Sequence, residues 1–159
     1  MRIKLFLAAL LCVCGMAFSQ THSDEEYKAC YGFMEKINVS AKLEKAKKQA
    51  IEAQLKNNPM MASFKSEIVA FSNKYFNYEV LKKDLAEICL QHFTAPELKQ
   101  AATTEDIAAF YKTELGKKFK EKQPVIIQEG IKLAKQKFAA HQQELQAAIM
   151  MKLQQSQMK

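Results

Sequence analysis

His141 and Glu144 stand three positions apart, one turn of a helix, and a pair at that spacing can supply two ligands to a metal ion. One pair is too few. A di-metal helical bundle takes Glu-x-x-His twice, and that order is absent here. Met60-Met61 and Met150-Met151 offer soft thioether donors, yet methionine is above all filler for apolar cores. No metal site is expected. Hydrolytic chemistry has no better footing. There is no G-x-S-x-G elbow, and the serines fall at helix starts or on polar faces. A Ser/His/Asp triad would have to draw on His92 or His141 and on Asp24, Asp84 or Asp106. His92 falls at a helix end beside Phe93, and His141 on the apolar side of a helix, as core histidines do. Two of the three aspartates fall in first turns, where negative charge favours the helix dipole. The spacing of Cys30 and Cys89 bears no relation to a C-x-x-C redox motif. No catalytic residue and no cofactor is expected, and the chain is predicted not to be an enzyme.

Lysine is the one abundant chemical group. Leaving aside Arg2 and Lys4, 22 lysines face 17 acidic residues, a net of +5 with no arginine at all. Arginine's planar fork is the preferred tool for phosphate and base-edge recognition, so its absence argues against sequence-specific nucleic-acid binding. Lys112, Lys117, Lys118, Lys120 and Lys122 are the densest part of this charge, with Lys132, Lys135 and Lys137 beyond. Glu114, Glu121 and Glu129 only partly oppose them. Such a cluster is either a solvated face or a diffuse, salt-sensitive attractor for an anionic surface.

The elements that would position these groups are helices. Glycines are four and prolines three in 159 residues, sparse turn chemistry for a sandwich or barrel. Residues 1–19 read as a cleavable signal peptide. Arg2 and Lys4 precede the apolar run Leu5 to Phe18, and Ala17 and Ser19 are small at the positions a signal peptidase reads. Cys12 and Cys14 follow bulky residues, unlike a lipidated cysteine. Residues 20–159 then form one domain, located in the periplasm or secreted. In that oxidising setting the two remaining cysteines predict a Cys30–Cys89 disulfide worth about 4 kcal/mol, with two buried free thiols as the alternative.

Helix signals follow one another along that domain. Ser23 to Glu26 reads as a capping box. Ser40 reads as the cap of a second helix, Pro59 as the first turn of a third, and Asn77 as the start of a fourth. Thr94 to Glu97 is another capping box. Leu98 and Ile107 would fall on opposite faces of one rod, so a break is expected near Thr103. Thr113 is expected to cap a short helix bearing Leu115 and Phe119. Gln123-Pro124 is expected to open the longest helix, about 30 residues or roughly 45 Å, with Ile127, Ile131, Ala134, Phe138, His141, Leu145 and Ala148 as its stripe. Its glutamine-rich end is expected to protrude. The predicted fold is all-α, a compact bundle of six or seven helices with a long C-terminal one.

Within this pattern Phe93-Thr94, Glu97-Leu98, Phe110-Tyr111, Thr113, Gly116, Lys118 and Pro124 resemble the bacterial domain-of-unknown-function family numbered twenty fifty-nine. The family-like segment covers residues 93–133. The resemblance implies an exported, all-helical bacterial protein and brings no activity with it. The leading expectation is a non-catalytic interaction module of the bacterial envelope, its partner an envelope protein or a second copy. Two alternatives stand beside it. One is association of the lysine cluster with an anionic envelope surface. The other is a small-ligand carrier with a cleft between helices, for which Tyr111, Glu114 and His92 are the first residues to test.

Overall fold

Helices begin in this chain where a side-chain oxygen can satisfy the orphan N–H groups of a first turn. In the computed structural model, which describes residues 22–158, Ser23 and Glu26 form the predicted capping box. The Ser23 hydroxyl accepts the Glu26 N–H at 3.3 Å, and the Glu26 carboxylate accepts the Ser23 N–H at 2.7 Å. They open α1, Asp24–Lys36. The expected signal peptide, with Cys12 and Cys14, lies outside the described residues.

The cap of α2, Val39–Asn57, is Asn38 rather than Ser40. Asn38 adopts the left-handed conformation, φ 55°, which asparagine tolerates better than most side chains. The chain therefore passes from α1 to α2 within two residues, and Ser40 falls inside the second helix. Pro59 opens a six-residue 3₁₀ segment, Pro59–Phe64, before α3, Lys65–Tyr75, so the proline does not sit in the α-helix itself. Asn77 caps α4, Tyr78–Leu90, accepting the Val80 N–H at 3.0 Å. Thr94 and Glu97 cap α5, Ala95–Thr103. The expected break follows, and Asp106 caps the four-residue α6, Ile107–Phe110.

The last helix departs from expectation. Thr113 caps it as predicted, accepting the Gly116 N–H at 3.1 Å, but α7 then runs unbroken over 44 residues, Glu114–Gln157, about 66 Å at 1.5 Å per residue. Pro124 lies inside this helix and does not start it. Proline has no N–H to give the Lys120 carbonyl, which a helix interior normally resists. Packing on both sides of the proline overrides that preference. Phe119 is buried in one cluster and Leu145 in another. Beyond Leu145 the helix does not swing free, because Lys152 Nζ lies 2.8 Å from both Glu67 and Ser66 of α3.

Those two clusters organise the molecule. The first joins α1, α4, α5, α6 and the start of α7 through Cys30, Phe33, Met34, Ala86, Cys89, Phe93, Leu98, Phe110 and Phe119. The second is small: Ile68, Phe71 and Leu145, with Ile51, Leu55, Met61 and Tyr75 partly buried around them. Seven α-helices and no strand are present among the described residues, as the sequence predicts. None of these helices is long and apolar enough to cross a membrane.

Candidate functional site

The residues of the predicted motif meet around one aromatic ring. Phe119 stacks on Phe93 with centroids 3.8 Å apart and planes 9° apart, and it touches Phe33 at 4.6 Å and Phe110 at 5.5 Å. Leu98 is wholly buried beside them. Thr113 works twice: its hydroxyl donates to the Phe110 carbonyl at 2.7 Å while capping α7. Gly116 permits the turn, since a Cβ there would lie 2.0 Å from the Phe110 carbonyl oxygen. Glu97 joins the Thr94 N–H at 2.9 Å to Lys118 at 2.7 Å. Partial burial raises the pKa of Glu97, but Lys118 and Thr94 outweigh it and hold the carboxyl below its ordinary value. Tyr111 packs partly buried against the same cluster, whereas Pro124 is exposed. These are positions that hold helices together; of them, Phe93 and Thr94 also line a small polar pocket.

Other candidate residues have similarly local work. Cys30 and Cys89 are buried free thiols, so the predicted disulfide is not formed. Cys30 Sγ instead points at Met34 Sδ, 3.6 Å away, and at the Ala86 carbonyl, 3.8 Å away. Pairing with the Cys89 thiol and burial both push the Cys30 pKa up, away from thiolate chemistry. His92 Nε2 lies 2.7 Å from Glu129, tying the end of α4 to α7. Among the lysines, Lys117 pairs with Glu114 at 2.5 Å, Lys118 with Glu97, and Lys120 lies over the Tyr111 ring at 5.3 Å. Much of the cluster thus has an intramolecular partner; Lys112 and Lys122 have no ion pair among the described residues. The His141–Glu144 pair is also engaged elsewhere. His141 stacks on Tyr75 at 3.9 Å, while Lys74, at 2.7 Å, and the Tyr75 hydroxyl hold the Glu144 carboxylate and lower its pKa. Met60, Met150 and Met151 are exposed rather than core filler; of these four methionines Met61 alone packs on a cluster.

A concave site lies elsewhere, between α2, α3, α4 and α7. It is a cleft of about 820 Å³. Ala46, Ala50 and Ile51 form its α2 wall, and Phe71 and Phe76 the α3 side. Leu81 and Leu85 of α4 line it as well. From α7 come Ile127, Gly130, Ile131, Ala134 and Phe138. Three of the residues expected to form the core stripe of α7 are therefore uncovered: Ile127 is 51%, Ile131 43% and Phe138 42% exposed. The cause is the opposite wall. α2 has no buried residue, and it presents alanines where bulkier side chains would close the gap. On α7 a Cβ at Gly130 would meet nothing within 4 Å. The cleft contains few polar groups: Lys47, Gln54, Ser72 and Lys135. Lys47 is committed to Glu44 at 2.7 Å and Asn73 at 2.9 Å. A second, smaller pocket of about 400 Å³ is polar and gathers His22, Glu26, His92 and Thr94. Tyr111, Glu114 and His92, singled out from sequence, do not line the apolar cleft. The signal for it was present as small residues on amphipathic helices, Ala46, Ala50, Gly130 and Ala134.

Residues 79–144 match the family model described as "Uncharacterized protein conserved in bacteria (DUF2059)". This segment is similar to that family. The matched residues are less than half of the chain and contain the whole segment 93–133. No curated protein and no solved structure matches the chain. The matched segment runs from the second residue of α4 to Glu144 of α7. It supplies one wall of the cleft, while α2 and α3, which supply the other, precede it.

Proposed function

We propose that this protein is a non-catalytic binding module of the bacterial envelope that carries the apolar chain of a small ligand in the four-helix cleft. The observation that carries this reading is the unfilled cleft itself, with Ile127, Ile131 and Phe138 turned into it and uncovered. Its volume falls within the roughly 300–1,000 Å³ of small-molecule sites, which are apolar with a few placed polar groups. A protein partner is a poorer fit, because protein interfaces carry about one hydrogen bond per 100–200 Å² and a polar rim. Export is supported by Arg2 and Lys4 ahead of the apolar run from Leu5 to Phe18. The Ser23 and Thr113 hydroxyls are engaged in capping, which supports a non-catalytic role.

Titration with dodecan-1-ol, an uncharged alkyl chain, tests the reading. Saturation near 100 times the dissociation constant should add roughly 2.7 kcal/mol of stability, read as a rise in Tm. Gly130→Leu should fill the cleft and abolish the rise while leaving the fold intact. Absence of binding, together with a dimer in sedimentation that Gly130→Leu dissociates, would give the cleft to a second copy instead. Recovery of the chain from the envelope fraction with Gln20 as its first residue would support export; recovery with the leader intact in the cytoplasm would refute it.

A further inference from the structure

Lys135 lies on the lining of an otherwise apolar cleft and has no ion-pair partner among the described residues. It is exposed, one residue beyond Ala134 and one turn from both Ile131 and Phe138. The other lysine of the lining differs. Lys47 is only 10% exposed, and its ammonium is held by Glu44 and Asn73, so it contributes mainly its methylene stem. No carboxylate lines the cleft. A site with a long apolar interior and one unpaired ammonium at its edge is complementary to an amphiphile of the opposite charge.

We propose that the ligand is a single-chain amphiphile with an anionic head, of the long-chain carboxylate class, its chain against Ile131, Phe138 and Ala50 and its carboxylate on Lys135. This rests on the cleft reading above and adds the head group and the residue that selects it. Geometry favours a single chain, since a drug-sized ligand fills a cavity of this size. The head group follows from charge. An ammonium beside low-dielectric walls attracts an anion more strongly than one surrounded by water. Gln54 and Ser72 are uncharged and offer no comparable preference.

Calorimetric titration of the folded chain with decanoate, dodecanoate, tetradecanoate and dodecan-1-ol separates the two levels of the argument. Affinity should rise about fourfold per added methylene, the signature of a chain entering an apolar site. Dodecanoate should bind about two- to fivefold more tightly than the alcohol at low salt, the order expected for one partly screened ion pair. Lys135→Gln should reduce dodecanoate to the affinity of the alcohol and leave the alcohol unchanged. Gly130→Leu should abolish both without lowering Tm. Equal affinity of acid and alcohol, or a carboxylate indifferent to Lys135→Gln, would overturn the head-group assignment while the cleft reading stood. Failure of every chain to bind would overturn both.

Discussion

The two ends of this molecule use the same kind of amphipathic helix and finish the work differently. Where α1, α4 and α5 meet the start of α7, apolar faces are matched to each other until Leu98, Cys30 and Ala86 have no exposed surface. Where α2 and α3 face the middle of α7, the facing residues are apolar as well, yet only Ile68, Phe71, Ser72 and Leu145 are buried. Amphipathicity states which face a helix withdraws from bulk water, whereas side-chain volume decides whether that face closes. Phe93, Phe110 and Phe119 fill the first end. Ala46, Ala50, Gly130 and Ala134 leave the second open. A protein that needed only to fold would gain from filling it, since each buried methylene contributes about 0.8 kcal/mol.

Truncation of one aliphatic side chain at each end gives the sharpest contrast. Leu98→Ala should cost about 4 kcal/mol in urea unfolding, through lost burial and a residual cavity. Ile131→Ala should cost only about 0.5–1 kcal/mol, because 43% of that residue is already exposed. Equal losses would mean that the cleft is closed in solution and the contrast false.

The glycines provide a second test, with opposite signs. Gly116→Ala must displace the Phe110 carbonyl and should destabilise by about 3 kcal/mol. Gly130→Ala enters open space in a helix interior and should stabilise by up to about 1 kcal/mol. Thermal unfolding of the two variants reads both outcomes.

Smaller still is the contribution of Glu97 to the packed end. Its pKa is lowered in the folded chain, so its stabilisation is present above the ordinary carboxylate value of 4.5 and is lost as pH falls through the lower folded value. Glu97→Gln should remove that acid-side slope from the urea midpoint. The effect should not exceed about 1 kcal/mol, because Glu97 and Lys118 are 26% and 37% exposed. The smallest expected effect is none. Since Cys30 and Cys89 are free, a reductant should leave Tm unchanged; a fall in Tm would reveal a bond between them.

Local chemistry made much of the fold legible. Ser23, Asn77, Thr94 and Thr113 lie at helix starts with the acceptors a first turn requires, and the break after Thr103 followed from the clash of faces between Leu98 and Ile107. Errors arose where tertiary contacts or a rare backbone state overruled local preference. Asn38 pre-empted Ser40 by adopting a left-handed conformation that composition does not announce. Pro124 was read as a helix start because proline favours first turns, whereas Phe119 and Leu145 anchor α7 on both sides of it. The cleft was the least legible feature. Ile127, Ile131 and Phe138 have the periodicity of a core stripe, and periodicity does not record whether the facing wall is alanine or leucine.

α2 extends for 19 residues without burying one of them, so its folding is sustained largely at its ends, by Asn38 and by Ile51 and Leu55. A ligand in the cleft would supply the interior that α2 lacks. On the proposed reading, occupancy and proteolytic lifetime become a single quantity: the empty chain exposes α2 to cleavage by local opening, and the loaded chain does not. Cellular abundance would then follow the supply of cargo without any change in synthesis.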